Sequence, residues 1–386
     1  MNNIVFYIHR TGLLGYFINP ICEFLSKRYN ITILHLDKCN GYTFAPKESP
    51  LYQLIDISDK SVNEIVGILS DLRPKAFISP GFISIYELLM LRICVMLKIK
   101  TFYLEHGLYS KETASLPFGK LINKFASTVK KNLYFLFRYS QFIWLSENSA
   151  HEMSVFWNCF RKKRYDLSRF DKALFFSEYG YRKIDEMFHY NKRDVDFICY
   201  PLSKSDNEFR KYQEIAKIPL PGDKKATYIH QSFILDSLVK WSYQDEKEYI
   251  VGIADHLREY GYSLQVQLHP RSDYEMYRKM FEDTDIEIVK GMIREDFKRF
   301  SLVVGHYSTA LLYSIFFRIP ILILDYPGVM KAEDSPFFPV SCKLPITDTE
   351  ALMKRYETYI REYMGTGICS FENIARKLEN TIKHID

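Results

Sequence analysis

Three short islands hold the residues best suited to chemistry. His269-Pro270-Arg271 follows the apolar run Leu264 to Leu268, and His306-Tyr307-Ser308-Thr309 follows Leu302 to Gly305. Glu105-His106-Gly107 follows the run from Lys100 to Leu104. An imidazole, a guanidinium and two hydroxyls are donors that can grip the oxygens of a phosphate through charge-assisted hydrogen bonds. A carboxylate beside an imidazole at the end of a strand is suited to general-base work. Each island also has a plainer reading: a His-Pro turn, a Ser-Thr helix cap, an exposed Glu-His loop. What raises them above that is their shared position after a buried strand and before a helix, where open parallel sheets bind ligands.

The elements that must position these islands are short apolar runs alternating with amphipathic segments. In the first half, strands are expected at Ile4–His9, Ile31–Leu36, Ala76–Ser79, Lys100–Leu104, Ala173–Ser177 and Asp196–Cys199, with helices ending near Tyr29 and spanning about Ile85–Leu97. The second half repeats the pattern. Strands are expected at Thr227–His230, Leu264–Leu268, Ile286–Val289, Leu302–Val304 and Ile319–Leu324, and helices at Asp245–Tyr260, Arg294–Phe300, Glu350–Tyr363 and Glu372–Ile382. Strands alternating with helices specify parallel α/β domains. The expected fold class is therefore α/β, with two doubly wound Rossmann-like domains facing a central cleft. Their expected extents are 1–200 and 201–386. The hinge is read from the linker-like compositions Tyr200-Pro201-Leu202-Ser203-Lys204-Ser205-Asp206 and Pro219-Leu220-Pro221-Gly222-Asp223-Lys224-Lys225. Gln231 and Ser232, after the first strand of the second half, are candidates to contact a base or ribose. Gly12, Gly15 and Gly107 are candidates for turns that let a ligand approach the backbone, although Gly12-x-x-Gly15 falls short of a dinucleotide fingerprint.

Composition narrows the class. A chain of 386 residues exceeds one ordinary core. A net charge of +5 suits an anionic substrate or surface and is too weak to indicate nucleic acid. The seven cysteines are dispersed without a metal-binding spacing, which suggests reduced, buried thiols and a cytoplasmic setting. No segment reads as a signal peptide or an uninterrupted membrane span. From Thr113 to Ser146 there is no acidic residue, while Lys120, Lys124, Lys130, Lys131 and Arg138 sit among many apolar side chains. Arg161-Lys162-Lys163-Arg164 adds a second basic cluster. A basic aromatic insertion at about 113–172 fits an anionic membrane face, an anionic glycan or an ordinary solvated surface.

Leu268-His269-Pro270-Arg271 resembles the His-Pro motif of bacterial sialyltransferases, and Tyr307-Ser308-Thr309-Ala310-Leu311 resembles their serine-pair motif. Leu104-Glu105-His106-Gly107 resembles their third motif, with His106 standing where a second acid is usual. The order and spacing are similar to those of the capsule polysialyltransferase and lipooligosaccharide sialyltransferase group. This resemblance implies inverting transfer of a sialic-acid-like (nonulosonic) sugar from a CMP-sugar to a surface glycan such as capsule, O-antigen or lipooligosaccharide. It implies Glu105 as general base, His269 as the residue assisting departure of CMP, and Ser308 and Thr309 as phosphate ligands. Pro270, Arg271, His306, Gln231 and Ser232 are further candidates to line the nucleotide and phosphate site. No cofactor is then required, and a divalent metal is optional. Asp283-Thr284-Asp285 has the letters of a metal motif but lies in a polar loop. The partners implied are a nucleotide-sugar donor and a glycan or lipid-linked glycan acceptor, on the inner face of the cytoplasmic membrane. Polyol-phosphate transferases of teichoic-acid type are the nearest alternative: there His106 is the base, and CDP-glycerol or CDP-ribitol the donor. A non-catalytic, membrane-associated assembly protein is the third.

Overall fold

The computed structural model describes the chain except residues 10–12, 38–48, 82–83, 108–117, 162–167, 236–238, 292–293, 366 and 385–386. Side chains at 118–131, 160–161, 183–184, 186–188 and 294–295 also fall outside the description. Gly12 and much of the basic insertion, including Lys120, Lys124, Lys130, Lys131 and the Arg161–Arg164 cluster, are therefore outside the described residues or side chains.

The chain forms two compact units. The first holds β1 (Asn2–Ile8), a π-helical turn Leu14–Ile18 leading into α1 (Asn19–Leu25), β2 (Tyr29–His35), β3 (Gln53–Asp56), α2 (Val62–Leu72) and β4 (Ala76–Ser79). It continues with α3 (Ile85–Met96), β5 (Thr101–Leu104), α4 (Phe118–Leu145), α5 (Ser149–Arg161), β6 (Lys172–Phe175), α6 (Glu178–Phe188), β7 (Val195–Phe197) and β8 (Tyr200–Ser203). Strands β1 to β7 make one parallel sheet in the order β3-β2-β1-β4-β5-β6-β7. The central strands are almost wholly apolar because both faces are covered: Ile4 to Ile8, Ala76 to Ser79 and Thr101 to Leu104 are all buried, with Ser79 and Thr101 the polar residues among them. Helices α2 and α3 each begin at a capping box, Ser61 with Glu64 and Ser84 with Glu87, which fixes where the chain leaves the preceding loop.

The second unit is built chiefly from Asn207–Arg361, with Gly107–Ile122 also assigned to it. After α7 (Asp206–Lys217) come β9 (Lys225–Ile229), α8 (Tyr243–Glu259), β10 (Ser263–Leu268), α9 (Tyr274–Met280), β11 (Glu287–Lys290), β12 (Leu302–Gly305), α10 (Leu311–Phe316), β13 (Ile321–Ile323) and α11 (Thr349–Tyr363). Its five strands are parallel in the order β11-β10-β9-β12-β13. The order reverses direction at β9, so the topological switch point lies between β9 and β12.

The chain passes from the first unit to the second at Asp206/Asn207, close to the expected boundary at 200, but it returns to the first unit at Glu362. Glu362–Asp386 belongs to the first unit, not the second. There β14 (Ile368–Ser370) pairs in parallel with β8, and α12 (Phe371–Lys383) packs on α1 with Phe371, Ile374, Leu378 and Ile382 buried. Tyr200–Ser203, the first part of that linker-like stretch, is thus a buried strand, and the crossing between units comes at its end, after Asp206. Pro201 is tolerated because this sheet has only two strands, so the missing N–H costs no further pairing. Cys199 and Cys369 flank that pairing as a disulfide, contrary to the expectation of reduced thiols. Cys22, Cys94, Cys159 and Cys342 are buried, in line with it.

Candidate active site

In the second unit three imidazoles occupy corresponding positions: His230, His269 and His306 each follow the last residue of β9, β10 and β12. The β9 loop is the middle one and is bonded to both neighbours. On one side the Arg271 guanidinium donates to Ser232 Oγ at 2.7 Å, and the His269 N–H approaches His230 Nδ1 at 3.5 Å. On the other side Tyr307 N–H donates to the Gln231 side-chain oxygen at 3.3 Å. Three strand-end loops are therefore joined across the switch point, and the expected residues Gln231, Ser232, His269, Arg271, Ser308 and Thr309 all lie on them.

The tautomer of His269 follows from its own loop. Its Nδ1 accepts the Arg271 backbone N–H at 3.2 Å, which requires a neutral ring with its hydrogen on Nε2. Pro270 is exposed and closes the tight turn between them. Ser308 Oγ accepts from Ala310 N–H at 3.3 Å, and Thr309 is exposed. The pair therefore forms the turn just ahead of α10, whose own N-cap, Ala310, receives no side-chain hydrogen bond, and Thr309 faces solvent.

His306 is different. It is fully enclosed, with Nε2 2.9 Å from the Tyr228 hydroxyl and Nδ1 2.9 Å from Leu324 O. Burial pushes its pKa down to about 4, against a smaller upward pull from the Leu324 carbonyl. It is a neutral pillar beneath the Tyr307–Thr309 loop, and its ring packs edge-on against Phe233 and Tyr326.

Sequence reasoning missed the layer under the His269 loop. His230 Nε2 lies 3.1 Å from Glu246 Oε1, inside the unit. The Tyr277 hydroxyl donates to Glu246 Oε2 and the Tyr326 hydroxyl to Oε1, the latter at 3.3 Å. A carboxyl group with three donors is satisfied in a way that an isolated buried one is not. The signal was available: His230 repeats the strand-then-histidine pattern of His269 and His306.

In the first unit Glu105 and His106 end β5, and the two side chains have different surroundings. Glu105 is 3% exposed. Its carboxyl accepts the Phe176 N–H at 2.5 Å, where β6 turns into α6. Burial raises its pKa to about 8, only partly offset by that hydrogen bond. His106 is half-buried, with Nδ1 3.0 Å from Pro80 O and its ring edge-on to Phe17. Burial lowers its pKa, against the Pro80 carbonyl, so the ring is neutral near pH 7. With the Nδ1 hydrogen committed to a carbonyl, Nε2 carries the lone pair.

Of the expected backbone turns, Gly15 lies inside the π-helical turn, and Gly107 follows His106. A Cβ at either would meet nothing within 4 Å. Among the described residues no group of three or more His, Cys, Asp or Glu could hold a metal ion. Asp283 and Asp285 are engaged elsewhere, by Lys247 at 2.7 Å and Arg258 at 2.9 Å.

No family model matches the sequence, and no curated protein resembles it. Among solved structures, the wall teichoic acid polymerase TagF aligns over 99% of this chain and 88% of its own, with a TM-score of 0.50 and 11% identity. A variant of it soaked with CDPG gives the same figures. A glycosyltransferase from Rickettsia africae ESF-5 reaches a TM-score of 0.49 at 8% identity, over 99% of this chain and 98% of that one. UDP-GlcNAc 2-epimerase from Methanocaldococcus jannaschii reaches 0.47 at 13%, over 98% and 100%. At such identities the likeness to TagF speaks for the fold alone: two Rossmann-like α/β units, as the strand and helix pattern requires.

Proposed function

We propose that the protein is an inverting glycosyltransferase that takes a sialic-acid-like sugar from a CMP-sugar and attaches it to a hydroxyl of a surface glycan. The observation that supports this reading best is the joining of three strand-end loops at the β9/β12 switch point, with His269 as an Nε2–H donor and Arg271 on one outer loop and Ser308 and Thr309 on the other. That donor set suits one phosphate. In the reaction the acceptor hydroxyl loses its proton to a base, and its oxygen forms the new bond to the anomeric carbon. The bond from that carbon to the phosphate oxygen breaks, and CMP departs with the electron pair. His269 Nε2–H and the two hydroxyls stabilise the charge gathering on the phosphate. Displacement in one step inverts the anomeric centre.

A second reading follows from the first unit. His106 has its Nε2 lone pair available in a neutral ring, whereas the Glu105 carboxyl is buried against Phe176 N–H with a pKa raised to about 8. This favours His106 as the base, the arrangement implied for transfer of a polyol phosphate from a CDP-polyol. TagF, whose variant was soaked with CDPG, has a fold of this kind.

The test is a thermal-shift series with CMP, CDP, UDP and GDP, followed by transfer assays with the nucleotide-activated donors that respond. Stabilisation by the cytidine nucleotides supports both readings, and preference for UDP or GDP removes both. Glu105→Gln inactive with His106→Asn active selects the CMP-sugar reading. The reverse, with His106→Asn reduced on the order of 10²–10⁴-fold, selects the CDP-polyol reading. No response to any nucleotide leaves the non-catalytic assembly role.

A further inference from the structure

Strands β8 and β14 pair Ile368 with Tyr200, Cys369 with Pro201 and Ser370 with Ser203, and the register shifts between Cys369 and Ser370. Pro201 offers no N–H to the ladder, and an isolated two-stranded pairing is marginal by itself. The Cys199–Cys369 disulfide closes it, joining positions 170 residues apart. From Ser370 onward the chain has other fastenings. The Asp206 N–H donates to Glu372 Oε2 at 3.0 Å, and the Glu372 N–H to Lys204 O at 3.1 Å. The Ser370 hydroxyl and the Arg376 guanidinium both donate to the Asp206 carboxylate. Helix α12 is also held on α1 by its buried apolar face. The disulfide is therefore needed most by the chain just ahead of it, from Gly365 to Cys369.

That segment bears on the turn that holds Glu105. The Tyr200 N–H donates to Gly367 O at 3.0 Å, and the Tyr200 ring packs on the Phe176 ring with centroids 4.8 Å apart. Gly365 lies so close to Phe176 O that no Cβ would fit, and the Phe176 N–H is the donor to the Glu105 carboxyl. Cys199 is half-buried and Cys369 is 7% exposed, so an incoming thiolate reaches the Cys199 sulfur first. We propose that this disulfide is a redox switch: when a dithiol reduces it, the β8–β14 pairing opens and the Phe176 turn loosens, while α12 stays docked. The step is thiol–disulfide exchange. One thiolate of the reductant attacks Cys199 Sγ, the S–S bond breaks, and Cys369 departs as a thiolate that takes up a proton. The reductant's second thiol gives up its proton and displaces Cys199 from the mixed disulfide. The reductant ends as a disulfide, and the protein gains two thiols. The switch is the same whichever of Glu105 and His106 is the base, because it acts on the backbone turn between β6 and α6.

The experiment is amide hydrogen exchange, read by mass spectrometry, on the full chain oxidised with glutathione disulfide and then reduced with dithiothreitol. Alkylation after denaturation, with peptide mapping, reports the state of Cys199 and Cys369. On reduction, exchange in the peptides covering Phe176 and Tyr200 should accelerate on the order of tenfold or more, as loss of a cross-link weakens the structure it closes. Exchange at Glu372 and in β1 should stay as it was, and reoxidation should restore the slow rates. Cys199→Ser/Cys369→Ser should exchange fast at the same peptides without reductant and ignore dithiothreitol. Equal exchange at Phe176 and Tyr200 in both states overturns the proposal, as does failure of the oxidised chain to link these two cysteines. Acceleration that spreads to β1, or unfolding of both the reduced wild type and the double variant, also overturns it, since the bond would then be a staple for the whole unit.

Discussion

The Glu105 carboxyl fills the space that a side chain on Gly180 would need: a Cβ there would lie 2.2 Å from Oε1 and 2.8 Å from the carboxyl carbon. Gly180 sits in the first turn of α6, after the cap Ser177, whose hydroxyl accepts the Gly180 N–H at 3.3 Å. The end of β5 is thereby fitted into the start of α6. A second glycine supports the same turn from the returning C-terminal segment. Gly365 adopts a left-handed φ of 62°, and a Cβ there would lie 2.0 Å from Phe176 O.

Gly180→Ala should therefore displace the Glu105 side chain and lower stability by about 1–3 kcal/mol, the usual cost of overpacking. Chemical denaturation measures it. In the Glu105→Ala background the same substitution should cost less, because the obstructing carboxyl is gone. Equal costs in both backgrounds would show that the two positions do not interact.

Glu105 also sets a pH dependence. Its folded pKa is raised from 4.5 to about 8 by burial. The unfolded chain releases this proton at lower pH than the folded one, so the group's contribution is full below about pH 4.5 and is lost as pH rises toward 8. Glu105→Gln keeps an oxygen for the Phe176 N–H and cannot ionise. Relative to the wild type, the variant should become more stable between pH 5 and pH 8, by roughly a few kcal/mol. Melting curves across that window test this, and parallel pH profiles for the two proteins would refute it.

The parallel sheets were legible because strands covered on both faces read as uninterrupted apolar runs, and most of those runs became strands within a residue or two. Gln53–Asp56 was not, since an edge strand half open to solvent carries Gln and Asp at its ends. Tyr200–Ser203 was misread because Pro201 looks like punctuation until β14 returns from the far end of the chain to pair with it. The pairing of Cys199 with Cys369 has the same cause, as 170 positions of sequence separate them. Within the site, the motifs located the loops, but not which way each ring faces. The His106 tautomer depends on the carbonyl of Pro80, and the enclosure of His306 depends on Tyr228 and Leu324, none of them adjacent in sequence.

Arg92 and Glu152 provide a separate test of how the helical insertion is attached. Both side chains are buried, and two hydrogen bonds of 2.9 and 2.7 Å join α3 to α5. Glu152→Ala leaves a guanidinium without its counter-charge and should destabilise by about 3–5 kcal/mol. Arg92→Met/Glu152→Leu removes both charges and their desolvation cost together, so it should fall much closer to the wild type. A double variant as unstable as Glu152→Ala would mean that packing, and not the unpaired charge, dominates. Denaturant midpoints of the three proteins decide between them.

Glu246 bears on the His269 loop from inside the unit. It receives His230 Nε2–H at 3.1 Å, which leaves His230 Nδ1 as an acceptor toward the His269 N–H and the Ser272 hydroxyl, each at 3.5 Å. Tyr277 and Tyr326 hold the same carboxyl from the other side. In Glu246→Gln an amide NH2 replaces one acceptor oxygen, and at least one of the three donors loses its partner, at a cost of about 1–3 kcal/mol. The imidazole is then released to rotate, and the His269–Ser272 turn loses its underlying support. Amide hydrogen exchange across His269–Ser272 should accelerate in the variant more than exchange in the first unit's β1. If this loop holds the donor phosphate, the CMP-induced thermal shift should shrink in parallel. Unchanged exchange in the turn would show that Glu246 stabilises the unit without positioning the loop, whatever becomes of nucleotide binding.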